Sequence, residues 1–169
     1  SAFSPSLYFG KGFGDLPDSL NWAKPFAITG SLAYEIPTRE RQTITEDDPV
    51  TGLPVSSIEE NPEIGRLGLS LQYSLPYLRA HVKDYELPEF VNRLVPVVEM
   101  TLERPLVRGG GQGTTGVVSP GVLWTGKRMQ FGAEALIPVN GDSGKSVGWV
   151  VQVHYYLDDI FPNSLGMPI

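Results

Sequence analysis

The chain has 169 residues, with 13 basic and 19 acidic side chains, a net charge of -6 and no cysteine. That length suits one domain with a sizeable core or one small barrel. The charge argues against nucleic acid as a partner, and the missing cysteines exclude disulfides, thiolate zinc sites and cysteine nucleophiles.

Nineteen glycines and fifteen prolines interrupt most helical patterns, while 41% hydrophobic residues are too many for a disordered chain. An all-β chain follows. No run of about 18 apolar residues is present, so the sequence predicts no transmembrane helix and leaves membrane β-barrels open. The first residues, Ser1 to Ser4, lack a charged and then apolar signal segment, so an export signal is expected to lie outside this sequence.

In chain order, Phe26, Ile28, Leu32, Tyr34 and Ile36 alternate with Ala27, Thr29, Ser31, Ala33 and Glu35, the period of a strand. Arg39–Glu63 holds seven acidic residues, three prolines and little periodicity, and is predicted as a long surface loop. Leu67, Leu69, Leu71, Tyr73 and Leu75 then alternate with Gly68, Ser70, Gln72 and Ser74. Arg79–Asn92, with Pro88 inside it, is a connection with room for a short helical turn. Leu94, Val98, Met100 and Leu102 share a face opposite Glu99, Thr101 and Glu103, and Gly109–Gly116 is a flexible loop. A strand over Val117–Thr125 meets the next through the turn Thr125–Arg128. Met129, Phe131, Ala133, Ala135 and Ile137 oppose Gln130, Gly132 and Glu134. After the hairpin loop Val139–Lys145, Val147, Trp149, Val151, Val153, Tyr155 and Leu157 oppose Ser146, Gly148, Gln152, His154 and Tyr156. Short turns between alternating segments predict a single domain over residues 1–169, an antiparallel up-and-down meander closing into a β-barrel of about eight strands.

The same alternation serves a soluble sandwich or barrel, whose apolar face points inward, and a membrane barrel, whose apolar face points at lipid. Two features favour lipid. The polar faces carry Gly, Ser, Thr, Gln and Glu in place of the Lys and Glu of a wetted surface. Aromatics gather near strand ends at Tyr34, Tyr73, Tyr77, Trp124, Trp149, Tyr155, Tyr156 and Phe161, where an interfacial girdle would sit.

Val117–Trp124 followed by Met129–Val139 resembles a Gram-negative outer-membrane barrel family catalogued under a phenol meta-cleavage degradation pathway or under transport. Val151–Pro162 is similar to its closing strand, and Gly10–Pro17 to its opening. The resemblance implies a barrel in the Gram-negative outer membrane, exported with a signal peptide that this chain lacks, with the lipid bilayer as its partner. It implies a passive channel or transport component for small compounds, aromatic ones among them. The chain departs from the family in ending on Met167, Pro168 and Ile169 in place of a terminal aromatic, and in being short for it, as a fragment would be.

Chemical motifs are weak. Gly111–Gly116 fits Gly-x-Gly-x-x-Gly, but Val117, Val118 and Pro120 follow where a dinucleotide site needs a helix N-terminus. Gly144-Lys145-Ser146 lacks the earlier glycine of a phosphate loop, since Val139 stands there. Gly141–Gly144 matches a protease nucleophile segment without a suitable base, because His81 has none of the surrounding pattern. His81 and His154 have no second ligand at metal-site spacing, and Asp47-Asp48 and Asp158-Asp159 lack the regular spacing of a calcium loop. No catalytic residue, cofactor or metal is expected. The candidate residues are therefore the polar ones predicted to face a lumen: Glu35, Gln72, Glu99, Glu103, Gln130, Glu134, Gln152 and His154. The glutamates among them need basic partners from other strands, such as Lys145, to offset desolvation. The alternative is a soluble β-barrel or sandwich that holds an apolar ligand inside. A third reading is a hydrolase built on interior carboxylates.

Overall fold

A computed structural model of the chain describes residues 1–47, 49 and 51–160. The described residues form ten strands: β1 (Ala2–Phe3), β2 (Ser6–Gly12), β3 (Phe26–Pro37), β4 (Arg41–Asp47), β5 (Pro54–Glu60), β6 (Glu63–Tyr73), β7 (Leu94–Val107), β8 (Thr115–Thr125), β9 (Met129–Pro138) and β10 (Gly148–Tyr155). The helices among the described residues are short turns, the longest of six residues. The protein is all-β.

Eight strands make one antiparallel sheet in which β3, β6, β7, β8, β9 and β10 follow one another as neighbours, while β1 and β2 both lie on the outer side of β3. Pro5 lacks an N–H and interrupts this edge, but its carbonyl still accepts from the Tyr34 amide at 3.1 Å, so β1 and β2 occupy one position. The expected closed barrel is not what the sheet shows: among the described residues nothing pairs with the outer edges of β2 and β10. Seven ladder positions are one fewer than in the smallest bacterial outer-membrane barrels, which have about eight strands.

The alternation holds in register. Leu69 and Leu71 stand opposite Met100 and Val98, and Ser70 and Gln72 opposite Glu99 and Val97, so the two sets occupy opposite faces. The ladder is also staggered. One row passes from Gly12, the last residue of β2, through Ala27, Gln72, Val97, Gly121 and Glu134 to Val150, the third residue of β10. Such a stagger accompanies strands tilted as in a curled sheet.

Two connections differ from expectation. Arg39–Glu63 is an excursion from the sheet, but not an irregular one: β4 and β5 pair from Arg41↔Glu60 to Asp47↔Pro54 as a separate hairpin. Thr43, Ile44, Thr45, Val55 and Ile58 supply β-branched residues that the surrounding charges conceal in the sequence. Arg41 and Glu60 pair across it at 2.9 Å, and Gln42 donates to Glu59 at 2.7 Å. Asp48 and Val50 lie outside the described residues. The loop predicted over Gly109–Gly116 ends at Thr114, because Thr115 and Gly116 join β8. Gly110 and Gly111 have φ of 57° and 83°, a region where glycine is unstrained. The turn 126–128 and the long connection 74–93 lie at the same end of the sheet, because strands β6 and β8 run the same way. That long connection is folded. Ser74 accepts from the Tyr77 amide at 3.2 Å, Asn92 donates to the Leu87 carbonyl at 2.7 Å, and Leu78 is buried.

Among the described residues only Leu78, Val95 and Val97 are buried apolar side chains. No hydrophobic core of ordinary size lies on either face.

Candidate functional site

The strand register sorts side chains into two faces. One carries Phe9, Ile28, Leu32, Leu67, Leu69, Leu71, Val98, Met100, Val118, Val122, Ala133, Val151 and Val153. Much of this face is exposed: Leu71 is 45% exposed and Val151 76%. The other face carries the small and polar residues, yet it is the more buried, with Val97 and Ser119 at 4% and Glu134 at 9%. A protein folded by apolar burial alone would show the reverse.

Aromatic rings close the apolar face at the strand ends. At one end Phe26 packs edge-on against Tyr73 at 4.7 Å, Trp22 against Phe26 at 6.3 Å, and Phe90, Trp124 and Phe131 form a second group with spacings of 6.1 and 5.9 Å. Tyr155 belongs to the same end. At the opposite end are Phe3, Tyr34 and Trp149, on the same face. Of the aromatics expected in a girdle, Tyr77 lies in the 74–93 connection against His81 at 4.6 Å, Tyr156 donates to Gln130 of the polar face, and Phe161 falls outside the described residues.

The polar face collects all eight candidate residues. Gln72, Glu99, Glu103, Gln130, Glu134, Gln152 and His154 share one side by register, and Glu35 falls on it as the next inward position after Ala33. They do not form one cluster. At one end of the face Arg66 joins three strands: its guanidinium donates to Glu35 on β3 and, at 2.9 Å, to Glu103 on β7. Lys145, expected to serve the interior glutamates, sits in the loop before β10 and takes no such part. Arg66 could have been found by extending the β6 alternation one residue back from Leu67. At the other end His154 stands opposite Gln130, whose Oε1 accepts from Tyr156 Oη at 3.2 Å.

In the middle, Glu99 stands opposite Ser119, and Glu134 opposite Gly121, two residues further along β8. Glu134 leans over Gly121: a Cβ at that glycine would lie 3.0 Å from the Cβ of Glu134 and 2.7 Å from the Ala133 carbonyl oxygen. Among the described residues, none gives Glu99, Ser119 or Glu134 a side-chain hydrogen bond or ion pair. The sequence offered no sign of this grouping, which depends on the register of three strands.

A further polar group lies where β6 begins. Tyr34 donates to Glu63, which also accepts from Arg108 at 2.9 Å, and Arg108 donates to the Asn61 carbonyl at 3.2 Å. These bonds hold Arg108 at a φ of 55°, unusual for a residue with a side chain. They tie the base of the β4–β5 hairpin to the sheet.

The rejected motifs remain without chemistry. Gly111–Gly116 leads into strand β8, Gly144–Ser146 lies in a loop, and Ser143 bonds to Asn140 Oδ1 at 2.7 Å and to the Gly116 amide at 2.8 Å inside a turn. Among the described residues no group of three or more His, Asp or Glu side chains is placed to hold a metal. Asp48 and the side chain of Asp159 fall outside those residues. Compared with protein-family models, curated proteins and solved structures, the chain matches none.

Proposed function

We propose that this sheet is the wall of an outer-membrane β-barrel of the Gram-negative type, with its apolar face against lipid and its polar face lining a passive path for small solutes. The observation that carries this is the inverted burial: an exposed apolar band, bounded at both ends by aromatics, backs onto a polar face that holds the buried residues. In water each large apolar side chain left exposed forgoes about 1.5–3 kcal/mol of burial, whereas in a bilayer that same band meets hydrocarbon and the aromatics meet headgroups. The polar face suits passage, since its row of Ser, Thr, Gly, Gln and Glu offers hydrogen bonds without filling the interior. The resemblance of Val117–Val139 to an outer-membrane barrel family points the same way. In lipid the edges β2 and β10 are paired, because open sheet edges do not persist in hydrocarbon.

A soluble sandwich with an apolar ligand inside would cover the face that carries Leu71 and Val151. The two readings separate on one preparation. The full chain is expected to require detergent for monodispersity, to fold into phospholipid vesicles, and to raise conductance in planar bilayers. A monodisperse, folded protein in detergent-free buffer overturns the membrane reading.

A further inference from the structure

We propose that Glu99, Ser119 and Glu134 form a binding site for the primary ammonium group of a small organic cation. The inference rests on the reading of the polar face as a solute path and names the class of solute it favours. By register the two glutamates flank the same stretch of β8, Glu99 on β7 opposite Ser119 and Glu134 on β9 opposite Gly121, where the missing side chain leaves room for the Glu134 stem. Glu99 and Glu134 are separated by two strand spacings, about 10 Å, and by one row of about 7 Å along the strands, a span that two glutamate side chains with Ser119 between them can close around one group.

Burial makes the arrangement informative. Ser119 is 4% exposed and Glu134 9%, and neither side chain has a partner among the described residues. A carboxylate largely withdrawn from water and without a partner is costly in its charged form, and a positive charge placed between Glu99 and Glu134 would offset that cost. Arg66, the basic residue that the described strands of the sheet place on this face, is already shared between Glu35 and Glu103. A metal ion fits poorly, since hard cations take six or more oxygens and no third carboxylate or histidine joins the pair. An ammonium group has three N–H donors, which match two carboxylates and one hydroxyl. Room for the organic part lies on the β6 side of Glu99, away from Ser119 and Glu134, where an open cavity of about 390 Å³ is lined by Tyr8, Ser31, Gly68, Ser70 and Thr101 among others. That volume lies within the usual range for small-ligand pockets, about 300–1,000 Å³. Tyr8 presents an aromatic ring, a surface that attracts cations and stacks on apolar groups.

The test is calorimetric titration of the full chain, folded in zwitterionic detergent, with n-butylammonium chloride. Saturable uptake of one equivalent is expected, with none of n-butanol. Glu134→Gln and Glu99→Gln keep shape and lose charge, and each is expected to weaken uptake at least tenfold. Ser119→Ala is expected to cost about three- to tenfold, as loss of one hydrogen bond would. Glu46→Gln, on the distant hairpin, should leave uptake unchanged. Absence of saturable uptake, or uptake by either glutamine variant as strong as that of the native chain, overturns the site. So does binding that emerges only after the chain's lysines are acetylated, because a lysine would then be the native occupant. Conductance is measured separately: a protein that conducts but binds no butylammonium loses the site and keeps the path, and one that binds but does not conduct keeps the site and loses the path.

Discussion

On β6, Leu67, Leu69 and Leu71 point to one side while Arg66, Gly68, Ser70 and Gln72 point to the other, and the two faces follow different physics. The leucine side has no specific partners and needs only a medium less polar than water. The other side depends on individual pairings, and those are met unevenly. Arg66 satisfies Glu35 and Glu103, whereas Glu99 and Glu134 are left with none. The contrast separates what holds the sheet together from what it has to offer another molecule.

The sharpest way to break this contrast is a charge on the apolar face. Ala133→Arg, at mid-strand in β9, is expected to cost about 2–4 kcal/mol when the chain folds into vesicles, read as a shift in the urea midpoint. Glu134→Leu, the adjacent residue on the other face, should insert as well as the native chain. If Ala133→Arg inserts normally and Glu134→Leu fails to fold, the faces are inverted and the protein is a soluble β fold.

A smaller effect is expected from filling the gap between the glutamates. Gly121→Val would press a side chain against the Ala133 carbonyl and the Glu134 stem, costing about 1–3 kcal/mol by overpacking and abolishing butylammonium uptake. Smaller again is Arg66→Met. It leaves Glu35 and Glu103 uncompensated, but the guanidinium is partly exposed, so solvent screening limits the loss to about 1 kcal/mol. The double variant Arg66→Met with Glu35→Gln should recover part of it in the same denaturation assay.

The smallest effect lies off the sheet. In the 74–93 connection, hydrogen bonds from Arg79 and then Arg93 hold the Glu89 carboxyl below its ordinary range, and the Glu86 amide followed by Arg79 does the same for Asp84. Because both are lowered in the folded chain, their contribution is present at neutral pH and is lost as pH falls through and below the ordinary carboxylate range. Proteolysis at this connection should therefore rise on acidification below about pH 4 and stay flat from pH 6 to 8, as read with an acid-active and a neutral protease against an unstructured peptide standard.

Much of the sheet was legible in the sequence because a two-residue period is a local property. The eight candidate residues all fall on one face for that reason. Arg66 stands just before the first leucine of the β6 alternation, so no apolar neighbour on its N-terminal side marks which face it takes. The hairpin of β4 and β5 was hidden by its acidic residues and prolines, which outweighed the β-branched residues between them. The convergence of Glu99 and Glu134 was not readable at all, since it arises only when β7, β8 and β9 are set in register and Gly121 opens the space between. The open sheet is a matter of strand number, on which alternation within strands is silent.

The direction of the two edges carries one more consequence. With β1 and β2 sharing a position, the sheet has seven positions of alternating sense, so β2 and β10 point the same way. Joining them directly would make a parallel seam in an otherwise antiparallel wall. Keeping every neighbour antiparallel takes an odd number of added strands, whether from this chain or another. A symmetric ring built only from copies in one orientation would repeat the parallel seam at every junction. The parity of the meander thus limits the ways in which the wall can be completed.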